Sequence, residues 1–401
     1  MKNNKNNQKS KTIIKNNNNN NINSKLNQIQ SPRDLISFKK IIQRENSCFI
    51  VFKSIYDLVL IVFIDIKQSS IKAYNLIDDK KIFEIKNVNA INTNELKHYL
   101  DKKNKRDLVA SIKMQENNIK VWNFNNLECI LNINYFKKIS PPAAVGNMHI
   151  INYITELLNL NSICFINNDN NIHIIASSIN IPQTQLIHIY NLRGEKIKEI
   201  NNNKVQNYFV DTFYDDKFSK NYIIISTNAD IRAIDYNNTK IMKHFTPVNE
   251  EPIKVTTIKN IEINRKLHFD DNHVFRDVKY SEGPLYILVK KCGNITKLFA
   301  GMKENTVKIW NFHSTQLLCE INISKSRIKG ICLWDEENLL VGTGSGLKLI
   351  DLNKNKLAKN FMDIVDIGRM DIVNIPKKGK CLITSNYQEM NLWLNKNLIK
   401  K

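Results

Sequence analysis

The chain has 401 residues, 42% of them hydrophobic and 8% aromatic, which is enough apolar side chain for a large core. Its formal charge of +21 arises from 59 Lys and Arg against 38 Asp and Glu. The basic residues are scattered and do not cluster with aromatics on one segment, as a dedicated single-strand nucleic-acid groove would require.

Residues 1–32 are Lys, Asn and Gln, with six consecutive Asn from Asn16 to Asn21, too polar to offset the entropy of ordering the chain. They read as a disordered Lys/Asn-rich tail. Residues 34–42, "DLISFKKII", form an apolar stretch expected to act as a strand. The run "CFIVFKSIYDLVLIVFIDI", residues 48–66, is cut by Lys53, Asp57 and Asp65 into pieces far short of a membrane span of about 20 residues, and reads as two buried strands. Short runs rich in Ile, Val, Leu and aromatics continue to the end, among them "DLVASI", "NIHIIASS", "NYIIIST", "PLYILVK", "NLLVGTG" and "KCLITS", each bounded by turn residues. Helical spacing is found only in "NMHIINYITELLNLN" from Asn147 and, more weakly, in "NTNELKHYL" from Asn92.

One hexapeptide recurs seven times: "IKAYNL" from Ile71, "IKVWNF" from Ile119, "IHIYNL" from Ile187, "IRAIDY" from Ile231, "VKIWNF" from Val307, "LKLIDL" from Leu347 and "MNLWLN" from Met390. The starts lie 48, 68, 44, 76, 40 and 43 residues apart. Four spacings suit one propeller blade, and the two longer ones call for insertions near 136–160 and 255–283. Each copy follows a strand and a short turn and precedes another strand, as an outer strand of a four-stranded sheet would. Its second residue is basic in most copies (Lys72, Lys120, His188, Arg232, Lys308, Lys348) and is expected on a solvated flank.

These copies resemble the WD-repeat β-propeller family, whose repeats end a strand in Trp-Asp; the resemblance spans about residues 34–401. No copy holds a literal Trp-Asp: Asn123 and Asn311 follow Trp122 and Trp310, Leu394 follows Trp393, and Asp235 and Asp351 follow Ile. The literal pair, Trp334-Asp335, falls out of register at the end of an inner-type strand. The family's opening Gly-His is missing. The resemblance implies an all-β, seven-bladed propeller of four-stranded antiparallel blades, closed by residues 34–42 pairing beside residues 389–395.

Catalytic constellations are not evident. "LHFDDNH" offers His268, Asp270, Asp271 and His273 in an insertion loop, "GTGSG" at Gly342 suits a hairpin better than a phosphate cradle, and Arg193-Gly194 is a poor match to paired lipid-binding arginines. The inner-strand candidates "CFIVF", "SICFI", "PLYIL" and "IKGICL" are almost wholly apolar. No cofactor or metal is expected. The seven cysteines never come within a CxxC spacing and sit mostly in apolar runs, which suits a reducing compartment, cytoplasm or nucleus. The expectation is a non-catalytic scaffold for protein–protein interaction, with RNA binding as the alternative. The first-choice contact surface is the 255–283 insertion with Arg265, Lys266, His268, Phe269, Phe275, Arg276 and Tyr280.

Overall fold

Alternating apolar residues and turn-forming Asn, Asp and Lys produce twenty-eight strands in a computed structural model. It describes residues 35–43, 48–86, 88, 93–113, 118–134, 159–179, 186–201, 207–227, 230–246, 284–303, 305–323, 326–365, 367–386 and 389–395. Among them no helix occurs, and none is therefore long and apolar enough to cross a membrane.

The strands form seven four-stranded antiparallel blades, each ordered as in the chain except the last. Blade 1 is β2 (Phe49–Lys53), β3 (Val59–Asp65), β4 (Ser70–Asn75) and β5 (Lys80–Ile85); blade 2 is β6 (Thr93–Asp101), β7 (Arg106–Lys113), β8 (Asn118–Asn123) and β9 (Glu128–Asn134). Blade 3 is β10 (Asn159–Asn168), β11 (Asn171–Ile179), β12 (Leu186–Asn191) and β13 (Lys196–Asn201); blade 4 is β14 (Asn207–Asp215), β15 (Lys220–Thr227), β16 (Ile231–Asp235) and β17 (Ile241–Phe245). Blade 5 is β18 (Pro284–Cys292), β19 (Ile295–Met302), β20 (Thr306–Asn311) and β21 (Leu317–Asn322); blade 6 is β22 (Ile328–Leu333), β23 (Asn338–Thr343), β24 (Gly346–Asp351) and β25 (Lys356–Phe361). Blade 7 combines β26 (Arg369–Ile375), β27 (Gly379–Ser385) and β28 (Glu389–Asn395) with β1 (Leu35–Gln43), in the order β1-β28-β27-β26. The expected closure is present: Leu35 lies opposite Asn395 and Gln43 opposite Glu389.

Each hexapeptide is the third strand of its blade and not the outermost, which corrects the outer-strand reading. Its alternation divides the work between two neighbours. The first and third residues face the following blade, as Ile119 and Val121 do in the core shared by blades 2 and 3. The fourth faces the preceding one, as Trp122 does in the core of blades 1 and 2. Val307 and Ile309 likewise pack toward blade 6 while Trp310 packs toward blade 4. Seven such cores, one per blade junction, carry the described apolar interior around the ring.

The fifth residue has a different task. Asn75, Asn123, Asn191, Asp235, Asn311 and Asp351 each accept, through a side-chain oxygen, the N–H of the residue two positions on, at 2.8–3.2 Å. This caps the hairpin to the fourth strand. In five of those hairpins the left-handed position is filled by a residue other than glycine: Asp79, Leu127, Thr239, Thr315 and Asn355. In the seventh copy this place is taken by Leu394, where the fourth strand of blade 7 is β1 and is not joined to β28 by a hairpin.

Two sequence expectations fail. "NTNELKHYL" is strand β6 and not helix: only Leu96 of its apolar residues is buried in the blade 1–2 core, and its period is two. The basic second position is not a solvated flank either. With the fourth strand covering it, Lys72, His188, Lys308 and Lys348 are buried. They face cross-strand polar partners: Glu84, Glu199, Glu320 and Asn360. The 48–66 run forms β2 and β3 as expected. The tail at 1–32, the 255–283 insertion, the "LHFDDNH" group and residues 136–158 lie outside the described residues, while 159–160 open β10.

Candidate functional site at the propeller axis

The first strands of the blades surround the axis, and three of them carry acidic residues: β6 brings Glu95 with Lys97, β14 brings Asp211, and β26 brings Asp371 with Arg369. The expectation of an almost wholly apolar inner wall is therefore corrected. It rested on four of the seven inner strands and missed the acidic ones. Read as a strand, "NELKHYL" would have put Glu95, Lys97 and Tyr99 on one side, the signal that helical spacing obscured.

Lys97 is the hub. Burial opposes its charge, but Glu95, with Oε1 3.5 Å from Nζ, and Asp211 outweigh that and hold its pKa above the ordinary lysine value. The ammonium also sits 4.9 Å from the centre of the Phe209 ring, on blade 4. Glu95 is anchored across the junction by the Ile163 N–H, 2.9 Å from Oε2. On blade 7, burial pushes the Asp371 carboxyl up to about 6, although the Ile372 N–H at 2.7 Å and the charges of Lys97 and Lys290 pull it down.

Three thiols share the axis. Burial raises the pKa of Cys48, Cys164 and Cys332, and Asp211 adds to it for Cys164 as Asp371 does for Cys332. They stay protonated at neutral pH and are poor nucleophiles. All seven cysteines are free; Cys48, Cys164, Cys292 and Cys381 are buried, and Cys129 is exposed. Among the described residues no group of three or more His, Cys, Asp or Glu is placed to hold a metal ion.

The axis opens between blades 2, 3 and 4 into a cleft of about 780 Å3, at the end where first strands turn into second strands. Lys97 and Asp211 line its depth, Tyr99, Phe165 and Tyr214 provide aromatic walls, and Asn167, Asn168, Asn221 and Asn237 line the rest with amides. Asn221 Nδ2 donates to the Asn167 carbonyl at 2.9 Å and Thr212 Oγ1 to the Phe165 carbonyl at 2.8 Å, which ties blade 4 to blade 3. Beside the mouth, Tyr214 is 53% and Phe218 51% exposed.

The seven proposed contact residues of the 255–283 insertion, Arg265, Lys266, His268, Phe269, Phe275, Arg276 and Tyr280, lie outside the described residues. Arg193 and Gly194 belong to the capped hairpin of blade 3, with Gly194 at φ +85°. "GTGSG" closes the β23–β24 hairpin, where Thr343 Oγ1 donates to the Gly346 carbonyl at 2.8 Å. Trp334 is buried between blades 6 and 7, which fits its place just past the inner strand β22. Compared with known proteins, the chain matches no family model and no curated protein sequence.

Proposed function

We propose that this chain is a non-catalytic interaction scaffold, a divergent propeller of the WD-repeat type that holds other proteins on its turn-bearing ends. The observation that carries this reading is the pair of half-exposed aromatics, Tyr214 near the end of β14 and Phe218 in the turn that follows it, at the axial cleft. Large aromatics left in water at a fixed position are the usual anchors of protein interfaces. The fold supports it too, since seven junction cores make a stiff body from which turns project at two ends. The unpaired thiols favour a reducing compartment, cytoplasm or nucleus. The test is affinity capture with mass spectrometry, run on the intact chain, on a Tyr214→Ser/Phe218→Ser variant and on one with 255–283 replaced by a short linker. Loss of the same partners from the double variant supports the reading; an unchanged partner set from both variants overturns the proposed surfaces.

RNA is the second reading. It rests on the lysines crowded into the first turns of blade 2 (Lys102, Lys103, Lys105) and blade 7 (Lys377, Lys378), at the same end as the cleft. The corresponding turn of blade 6 carries Asp335, Glu336 and Glu337, so this end alternates in sign, as protein interfaces do more often than phosphate-binding faces. Retention on heparin or RNA that falls steeply with salt favours RNA, and its loss on deleting residues 1–32 assigns the effect to that segment.

A further inference from the structure

We propose that the cleft between blades 2, 3 and 4 receives an arginine side chain from an extended segment of a partner protein. This rests on the scaffold reading and names the chemistry of what docks there.

The charge balance of the cleft sets the sign of its occupant. Two carboxylates, Asp211 and Asp169, line it against one ammonium, Lys97. That ammonium already has Glu95 at 3.5 Å. Asp211 accepts the Thr212 N–H at 2.9 Å, and a carboxylate has further acceptor capacity beyond one such bond. An incoming anion would meet this excess of negative charge; an incoming cation would complete it.

The walls choose between cations. Tyr99, Phe165 and Tyr214 present aromatic surface, and asparagine side chains surround it. A planar guanidinium stacks on aromatic rings and donates several N–H groups in one plane to carboxylate and amide oxygens, whereas a lysine ammonium is a compact, strongly hydrated point charge. At about 780 Å3 the cleft exceeds one side chain, so neighbouring backbone enters as well. Tyr214, half in water at the rim, covers the entering chain.

The test uses the intact protein and three small probes, the N-acetyl methylamides of arginine, lysine and glutamate, followed by ligand-observed NMR. The arginine probe is expected to bind saturably, the lysine probe more weakly and the glutamate probe not at all. Asp211→Asn should weaken the arginine probe about tenfold, as expected for loss of one charge-assisted contact. Asp169→Asn, at an exposed rim position, gives a second reading should the first variant lose stability. Absence of saturation, equal binding of the glutamate probe, displacement of the arginine probe by a short oligoribonucleotide with equal affinity, or undiminished binding in both variants overturns the proposal. Partners still captured by Asp211→Asn and Asp169→Asn leave the scaffold reading standing while removing this one; an intact chain that captures no partner removes the scaffold reading itself.

Discussion

His98 and Asp107 meet within blade 2, and the same carboxylate reaches across to blade 1. Nε2 of His98, on β6, lies 2.8 Å from Oδ1 of Asp107 on β7, while Oδ2 of the same carboxylate accepts the Ile55 N–H at 2.9 Å from the first turn of blade 1. The imidazole stacks flat on Phe52 of blade 1, ring centres 3.6 Å apart. Asp107, only 2% exposed, is thus both the clamp within blade 2 and the acceptor for its neighbour.

Replacing Asp107 with Ala leaves a backbone N–H and an imidazole without their acceptor at a closed junction. Unfolding free energy should fall by about 2–3 kcal/mol. Asp107→Asn, which keeps one acceptor oxygen, should lose roughly half as much. Urea denaturation of the three proteins checks the ranking, and equal stability of Asp107→Ala and the parent would refute the junction's role.

Trp310 is 1% exposed, with Phe245 at 6.3 Å in an edge-on arrangement and Phe312 in the same core. Trp310→Ala should cost about 3–5 kcal/mol. Because the side chain lies inside the blade 4–5 junction, the capture of partners at temperatures where the variant stays folded should be unaltered. A variant with normal melting but abolished partner capture would make this tryptophan a contact residue instead.

Asp371 makes stability depend on pH with a definite sign. Its folded pKa of about 6 exceeds the ordinary carboxylate value of 3.8, so between these values the folded state binds more protons than the unfolded state. Stability therefore falls as pH rises from about 4 to 6 and levels off above. The groups acting on it are the Lys97 and Lys290 ammoniums, the Ile372 N–H and the backbone of Val51. Asp371→Asn should gain stability relative to the parent, by on the order of 2 kcal/mol more at pH 7 than at pH 4. Parallel denaturation curves at both pH values measure this difference, and a pH-independent gap would mean that the carboxyl is not held neutral.

Lys348 is buried, its ammonium bonded to Asn360, and burial lowers its pKa. A charge enclosed with a neutral partner is a cost that an apolar chain of similar length avoids. Lys348→Met should raise stability by about 1 kcal/mol. Lys72 is a control, since it has Asp65 at 2.7 Å, and Lys72→Met should be destabilising because it takes the ammonium away from that carboxylate. Thermal unfolding of both variants settles the contrast.

The strands and the sevenfold recurrence of the hexapeptide were legible because they depend on short-range alternation, which a strand writes directly into the sequence, whereas the closing pair of β1 and β28 joins distant segments and was expected from the family resemblance. The basic second position was misread for a reason that alternation cannot supply. Which side of a strand is covered depends on what lies beyond it, and the fourth strand turned Lys308 and Lys348 from flank to interior. The axial group was illegible for a related reason. Glu95, Asp211 and Asp371 are far apart in the chain and become one cluster only when the ring closes. The spacing of "NELKHYL" was ambiguous between periods of two and 3.6, and only its neighbours in the sheet decide it.

The pairing of Leu35 with Asn395 also constrains the molecule's birth. Strand β1 leaves the ribosome well before its sheet partner β28, the two lying at opposite ends of the described residues. At roughly 5–20 residues per second, tens of seconds separate the two. Throughout that interval blade 7 cannot be assembled, so ring closure waits for the synthesis of β28. A nascent chain of this kind is a natural client for a chaperone that shields strand edges, and a truncation that removes β28 would leave β1 open to pairing with strands of other chains.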